Sequence, residues 1–470
     1  MRFQVLSHAG LLVEGQSKSL TCDPWILGSC YWRSWWNYLP VSPELVASLN
    51  PDYIYITHVH WDHFQGPSLL KLGKDKQILV PKGNYDRIKR DLVKMGFKNI
   101  RELRHGEAVQ LAPDFKVTSY QFGIFLDSAL VIECEGVKIL NLNDAKFMGL
   151  PLQEMIQKHG PFDFVLRSHS SANSRLSYQI TDEPETPVDD VQSYIDSFTD
   201  TVRAVPATYA VPFASNQCHL MPEVFKFNTM ARTPKMVGDY FIQSGFKAPE
   251  LKVMVSGDAW SSTEGFHYTG IDYFTDRDRC LAEYQAQEMP KIEAHLEKEA
   301  KSKINLPEVR RYFDKLGAAI PWILRRPFKG HPIAYVLKAG ETLTTLKVDL
   351  YNRSVEQIET LPDDSPLPQI HTAAYIFNQC IRLDLFSHLS ISKRVLFKVR
   401  KKDKKYIQKL NLLYNLYEYD MLPLTRLFSW RFIETWLLRW REIILYVQLV
   451  RDLVLHRKLN FAKYLQPVVK

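Results

Sequence analysis

The N-terminal half of the chain alternates short apolar strands with amphipathic helices. Residues 2–6, 11–14 and 19–22 read as strands, and the last ends at Asp23-Pro24-Trp25. A helix over 43–49 has Ser42 as its N-cap. The run Tyr53-Ile54-Tyr55-Ile56 is a buried-type strand that leads directly into His58. A strand at 78–80, a helix at 85–95 and strands at 108–111 and 116–120 come next. Residues 129–132 and 137–140 flank Glu135-Gly136 and form a hairpin whose second strand stops just before Asp144. A helix at 152–158, a strand at 164–166 ending at Ser168-His169-Ser170, a helix at 188–202 and a strand at 209–212 complete the series. Two such runs, with polar residues gathered at strand ends, predict an α/β fold of the layered αββα kind.

Three units are expected: a catalytic domain over 1–225, a mixed α/β connecting region over 226–330, and a hairpin plus helical region over 331–470. In the second, 283–301 reads as a charged helix and another begins near Pro307. In the third, 333–337 and 343–350 pair around Gly340, and helices are predicted from there to about 460.

Composition adds little. With 470 residues, 46% hydrophobic and 24% charged, the chain is an ordinary globular one. A net charge of +8 suits an anionic substrate or surface without naming one. The six cysteines form no CxxC, which predicts reduced thiols and a cytoplasmic location. No apolar stretch is long enough to predict a membrane-spanning helix.

The chemistry lies in Thr57-His58-Val59-His60-Trp61-Asp62-His63. Leaving a strand, side chains two residues apart point the same way, so His58 and His60 can grip one ion. Asp62 and His63 sit just beyond, where the chain turns, and can hold a second. Two divalent ions about 3.5–4 Å apart polarise a substrate oxygen and acidify a shared water.

The HxHxDH segment, with the strand order around it, resembles the metallo-β-lactamase superfamily. That resemblance implies that Asp144 bridges both metals and that His219 is the last histidine ligand. Asp62 and Asp144 are then the catalytic carboxylates. The family's third histidine of the first site has no counterpart in 118–127, so Gln121, Asp127 or His169 is left to fill that place. An oxygen-richer site suits iron or manganese better than zinc. Asp23-Pro24-Trp25, Trp32-Arg33-Ser34-Trp35-Trp36, Lys138-Ile139-Leu140-Asn141 and Pro212-Phe213-Ala214 resemble one branch in particular, the CMP-N-acetylneuraminate hydroxylase-like proteins. Hydroxylases of that branch carry a Rieske iron–sulfur domain, for which these cysteines offer no motif. In related proteins the turn corresponding to His8 faces the metals.

The first expectation is therefore a metallo-hydrolase with two zinc or iron ions, using a metal-bound hydroxide on an ester, phosphodiester or amide. The second is a diiron hydroxylase served by an external redox partner. The third is a non-catalytic binding protein. The substrate is a small or nucleotide-linked molecule. Trp32, Arg33, Trp35 and Trp36 are candidates for binding it, and equally for plain core packing. The basic run 398–405 reads as a solvated helix face and not as a nucleic-acid site. The tail from Trp430 to Val450 has helical spacing, which fits core or partner packing or peripheral contact with a membrane surface.

Overall fold

The computed structural model describes residues 1–170, 174–183, 192–270, 272–359, 361–362, 365–455 and 464–465. Its first sheet begins with Arg2–Val5, Leu11–Glu14 and Ser19–Cys22 in antiparallel succession. It continues in parallel through Tyr53–Tyr55, Gln77–Pro81 and Ile100–Leu103. Ala259–Ser261 and Gly265–His267 extend the opposite edge. This sheet thus draws two strands from beyond residue 225, where the sequence pattern placed the end of the sandwich.

The second sheet holds Glu107–Ala112, Phe115–Phe122, Asp127–Cys134, Val137–Asn143, Phe162–Ser168, Ala207–Phe213 and Glu250–Leu251. Side-chain alternation divides its two faces. Phe115, Val117, Leu130, Ile132, Ile139 and Phe164 turn inward and meet Phe3, Val5, Leu11 and Leu20 of the first sheet. Their outward neighbours Tyr120, Val131, Leu140 and Val165 pack beneath the helices Gly149–His159 and Gln192–Ala204. Pro43–Ser48, Gly66–Leu72 and Arg87–Lys94 cover the outer face of the first sheet. The layers are therefore α, β, β, α, as the strand pattern predicts. Ser42 caps its helix by accepting from the Leu45 N–H at 3.1 Å. The hairpin turns at Glu135 and Gly136, both at positive φ. Of the helix expected at 188–202, the described part runs Gln192–Ala204, and 188–191 lie outside the described residues.

The C-terminal part departs from expectation. The predicted hairpin is present as Ile333–Ala339 and Thr342–Asp349. The chain beyond it is not helix alone: Ser354–Ile358, Gln369–Ala373 and Leu396–Val399 join a six-stranded mixed sheet, together with Tyr178–Ile180. These strands are short and carry Glu356, Gln357 and Lys398, so their alternation is faint. Leu306–Ala319, Ala374–Leu383 and Lys404–Glu418 pack against this sheet, and Trp25, Tyr31, Trp32 and Trp35 belong to the same core. The last helix, Trp440–Val454, returns to the sandwich, where Leu445 is buried in the outer layer of the second sheet. Its other side leaves Trp440, Ile443, Val447, Val450 and Val454 exposed at helical spacing. Among the described residues no helix is long and apolar enough to cross a membrane.

Candidate metal centre

The strands Ser19–Cys22 and Tyr53–Tyr55 run parallel and end side by side, which sets Asp23 against the start of the histidine motif. Asp23 is fully buried. It accepts from the Thr57 N–H at 2.8 Å, the Thr57 hydroxyl at 2.6 Å, His63 Nδ1 at 2.9 Å and Asn143 Nδ2 at 2.5 Å. A tight turn comes next, in which the His63 and Phe64 N–H groups both donate to the His60 carbonyl, at 3.0 and 2.7 Å. It folds Asp62 and His63 back over His58.

The tautomers are set by these partners. His63 donates Nδ1–H to Asp23, which leaves the Nε2 lone pair free. The Thr57 hydroxyl donates to Asp23, so at 3.0 Å it accepts from His58 Nδ1, which leaves the His58 Nε2 lone pair facing His60 Nδ1 at 2.9 Å. His63 Nε2 lies 3.3 Å from both Asp62 Oδ2 and Asp144 Oδ2, yet it is buried without a hydrogen-bond partner. His8 Nε2 lies 3.1 Å from Asp62 Oδ2 and is likewise unsatisfied. Donor atoms about 3 Å apart that do not point at one another are what a shared ion at bond lengths of about 2.0–2.2 Å requires.

Two groups result: His8, Asp62 and His63, and His58, His63 and Asp144, each with ligand atoms within 4.8 Å of one another. His60 joins the second, its Nδ1 2.9 Å from His58 Nε2. The residues present thus fit a metal centre.

Burial disfavours charge throughout. It draws His58 and His60 down to about 4, helped by the neighbouring imidazoles. Burial opposes ionisation of Asp62 and Asp144 too, but His63 holds both carboxyls well below the usual carboxylate range. His63 is raised well above its ordinary value: burial works against its charge, and Asp62 and Asp23 overcome it. Burial raises Asp127; His60 opposes the rise and Asp144 adds to it. Asp144 keeps 32% of its side chain exposed against 6% or less for Asp62 and His63, so the centre opens toward solvent at Asp144.

The structure gathers His58, His60, Asp62, His63 and Asp144, and with them His8, whose turn the resemblance sets facing the metals. It does not bring in His219. That ring lies on Gln217–His219, with Nδ1 3.2 Å from the Ser34 carbonyl and Trp35 packed against it, and Trp35 in turn contacts His8. His169, at the end of Phe162–Ser168, bonds the Arg232 carbonyl through Nε2 at 3.2 Å and has an unpartnered Nδ1. It is close enough to His8 and Asp144 for their charges to act on it. Gln121 is occupied elsewhere, donating to Leu103 and Ser119 inside the sandwich. Trp35 and Trp36 are core residues at 3% and 1% exposure, whereas Trp32 and Arg33 border a cavity.

Two residues carried no sequence motif. Tyr31 donates to Asp62 Oδ1 at 2.5 Å. His388, from the C-terminal unit, is fully buried with its ring 5.5 Å from that of His60. Only contacts between distant segments of chain reveal either one. For Asp23 a local signal existed: it ends a strand beside the motif strand.

No family model matches the chain. A protein of Mycolicibacterium smegmatis described as a Rieske 2Fe-2S iron–sulfur protein is 28% identical over 250 residues, covering 48% of this chain and 46% of that protein. A Mycobacterium tuberculosis protein of the same description is also 28% identical over 250 residues, covering 50% and 47%. The human inactive cytidine monophosphate-N-acetylneuraminic acid hydroxylase is 32% identical over 146 residues, covering 30% of this chain and 29% of that protein. The chain spans about half the length of the mycobacterial relatives and under a third of the human one. Among solved structures, a variant of the CmlA β-hydroxylase aligns at TM-score 0.40 and 16% identity, covering 54% of this chain and 52% of that one. Igni18, a metallo hydrolase of Ignicoccus hospitalis, aligns at TM-score 0.36 and 14% identity, covering 55% and 96%. The αββα sandwich with its HxHxDH segment resembles the metallo-β-lactamase superfamily, and over 146 residues the sequence is similar to the CMP-N-acetylneuraminic acid hydroxylases.

Proposed function

We propose that the chain is a metal-dependent enzyme whose centre takes two ions. His8, Asp62 and His63 would hold one, and His58, His60 and Asp144 the other. The donor set carries the reading. Two imidazoles with one carboxylate is the set that non-haem iron uses, and each of the two groups offers it. We therefore favour iron and the hydroxylation of a small-molecule substrate. The balance is one C–H bond and one O2 converted, with two electrons and two protons, into one C–OH bond and one water. A separate redox partner supplies the electrons, and the substrate class is in keeping with the names of the sequence relatives. Iron bound here supplies the redox chemistry.

The chain's own residues do the rest. Asp23 fixes the His63 ring, Thr57 orients His58, and Tyr31 holds one oxygen of Asp62. The exposed edge of Asp144 marks where substrate approaches.

Hydrolysis is the second reading. It is favoured by the two carboxylates at equal distance from His63 Nε2, a cradle that also suits a two-ion water-activating centre.

Elemental analysis of the purified chain, followed by dioxygen uptake with a chemical reductant, tests the choice. Bound iron with reductant-dependent oxygen uptake supports the first reading. Bound zinc with turnover of a nitrophenyl ester or phosphodiester overturns it in favour of the second, and no metal after reconstitution overturns both.

A further inference from the structure

A cavity of about 960 Å³ lies between the sandwich and the C-terminal unit. Tyr31, Trp32 and Trp61 form one wall, and Leu383, Leu385 and Tyr417 belong to the C-terminal side. None of the residues grouped at the metal centre borders it. Tyr31 stands between the two places, with its ring on the cavity and its hydroxyl on Asp62.

Most of the cations on the lining are already paired. Arg87 bonds Asp91 at 2.7 Å and also the Leu383 carbonyl. Arg90 pairs with Asp420 at 2.7 Å, Arg426 also pairs with Asp420, and Lys94 lies 3.4 Å from Asp91. Arg33 and Arg382 have no carboxylate partner among the described residues. Arg33 instead lies over the Trp36 ring at 5.9 Å. A lining with flat indole surfaces and two uncommitted guanidinium groups suits a ligand with a planar apolar body and an anionic group. The volume matches one small organic molecule.

We propose that this cavity binds an organic anion with a planar apolar body, beside the metal centre and not on it, and that Tyr31 makes its occupancy felt at Asp62. The ring lies against Trp32 and Trp61, and Arg33 and Arg382 supply the countercharge. Tyr31, Trp32 and Arg33 stand at φ of 50°, 56° and 64°, three successive side chains in the left-handed region. That conformation is unfavourable for L side chains, so the surrounding packing must hold it. A ligand pressed against Tyr31 and Trp32 acts on this segment directly. The link to Asp62 rests on its being a metal ligand; the binding itself does not.

The probe is 8-anilinonaphthalene-1-sulfonate, titrated into the full chain by fluorescence, with metal affinity read by competition with a chromophoric chelator. One saturable site per chain is expected. Arg33→Ala and Arg382→Ala should each weaken it roughly tenfold, the worth of one charge-assisted contact. The exposed helix stripe offers the dye another apolar surface, so Val447→Asp with Val450→Asp serves as the control and should leave the site intact. Saturating dye should shift metal affinity in the native chain. In Tyr31→Phe the dye should still bind and the shift should vanish. Dye binding that survives both arginine changes, or that is lost in the stripe variant, overturns the site. Dye binding with no shift in metal affinity overturns the coupling alone.

Discussion

Asp23 accepts four hydrogen bonds from three residues, and it is wholly enclosed. Because it fixes the tautomer of His63, Asp23→Asn should weaken metal binding by about 10–100-fold while the ligands themselves remain, measured by chelator competition. Removing ligands is more drastic. His60→Ala and Asp62→Ala should each lower the metal content of the purified protein, and unchanged content in both would show that these residues hold no metal. The histidine motif was legible because its ligands lie within six residues at the end of one strand. His8 was indicated only by the resemblance and Asp23 only by its place at a strand end, while Tyr31 and His388 were not legible as partners of that motif, since packing between distant segments brings them there. His219 was assigned by resemblance, and the structure uses it to fill the space behind Trp35. It is buried and neutral: burial pulls its pKa from 6.5 to about 3. Between those values the unfolded chain takes up a proton that the native one refuses. Stability should therefore be full above pH 6.5 and fall as the pH drops, by up to about 1.4 kcal/mol per pH unit. Urea midpoints measured from pH 7 to 4 should decline, and less steeply in His219→Gln.

The hairpin leading to Asp127 is held from outside by the C-terminal helices. Glu442 accepts from the Gly123 N–H at 2.9 Å, and Arg439 donates to the Gly123 carbonyl at 2.8 Å. The two side chains also pair with each other, both about 1% exposed. Glu442→Ala would strand a buried guanidinium and should cost about 3–5 kcal/mol in chemical denaturation. The strand pattern of the sandwich was readable because each strand buries one face against the facing sheet and the other beneath a helix, so alternation and apolar runs are strong. The C-terminal sheet was not readable past its first hairpin. Its later strands span four or five residues, and Tyr178–Ile180 pairs with Leu396–Val399 across more than two hundred residues of chain. Sequence periodicity records which face of a segment is buried, but not which distant segment buries it.

Across the whole molecule, the sandwich and the C-terminal unit share a core at the tryptophan segment. Trp25, Tyr31, Trp32 and Trp35 pack with Tyr335, Phe377 and Phe386. Tyr31 and His388, both in contact with that core, also stand beside Asp62 and His60. An ion that binds only the native centre should therefore raise the melting temperature of the entire chain as one calorimetric transition, by RT ln(1 + [ion]/Kd) in free energy. Two separable transitions, only one of them metal-sensitive, would show the units to be independent. The same shared core bears on how this architecture can be divided. A sandwich excised from its companion would turn several indole rings toward water and lose Tyr31's anchorage, so the metal-bearing half is not an interchangeable cassette and would have to be transplanted together with the sheet that closes over it.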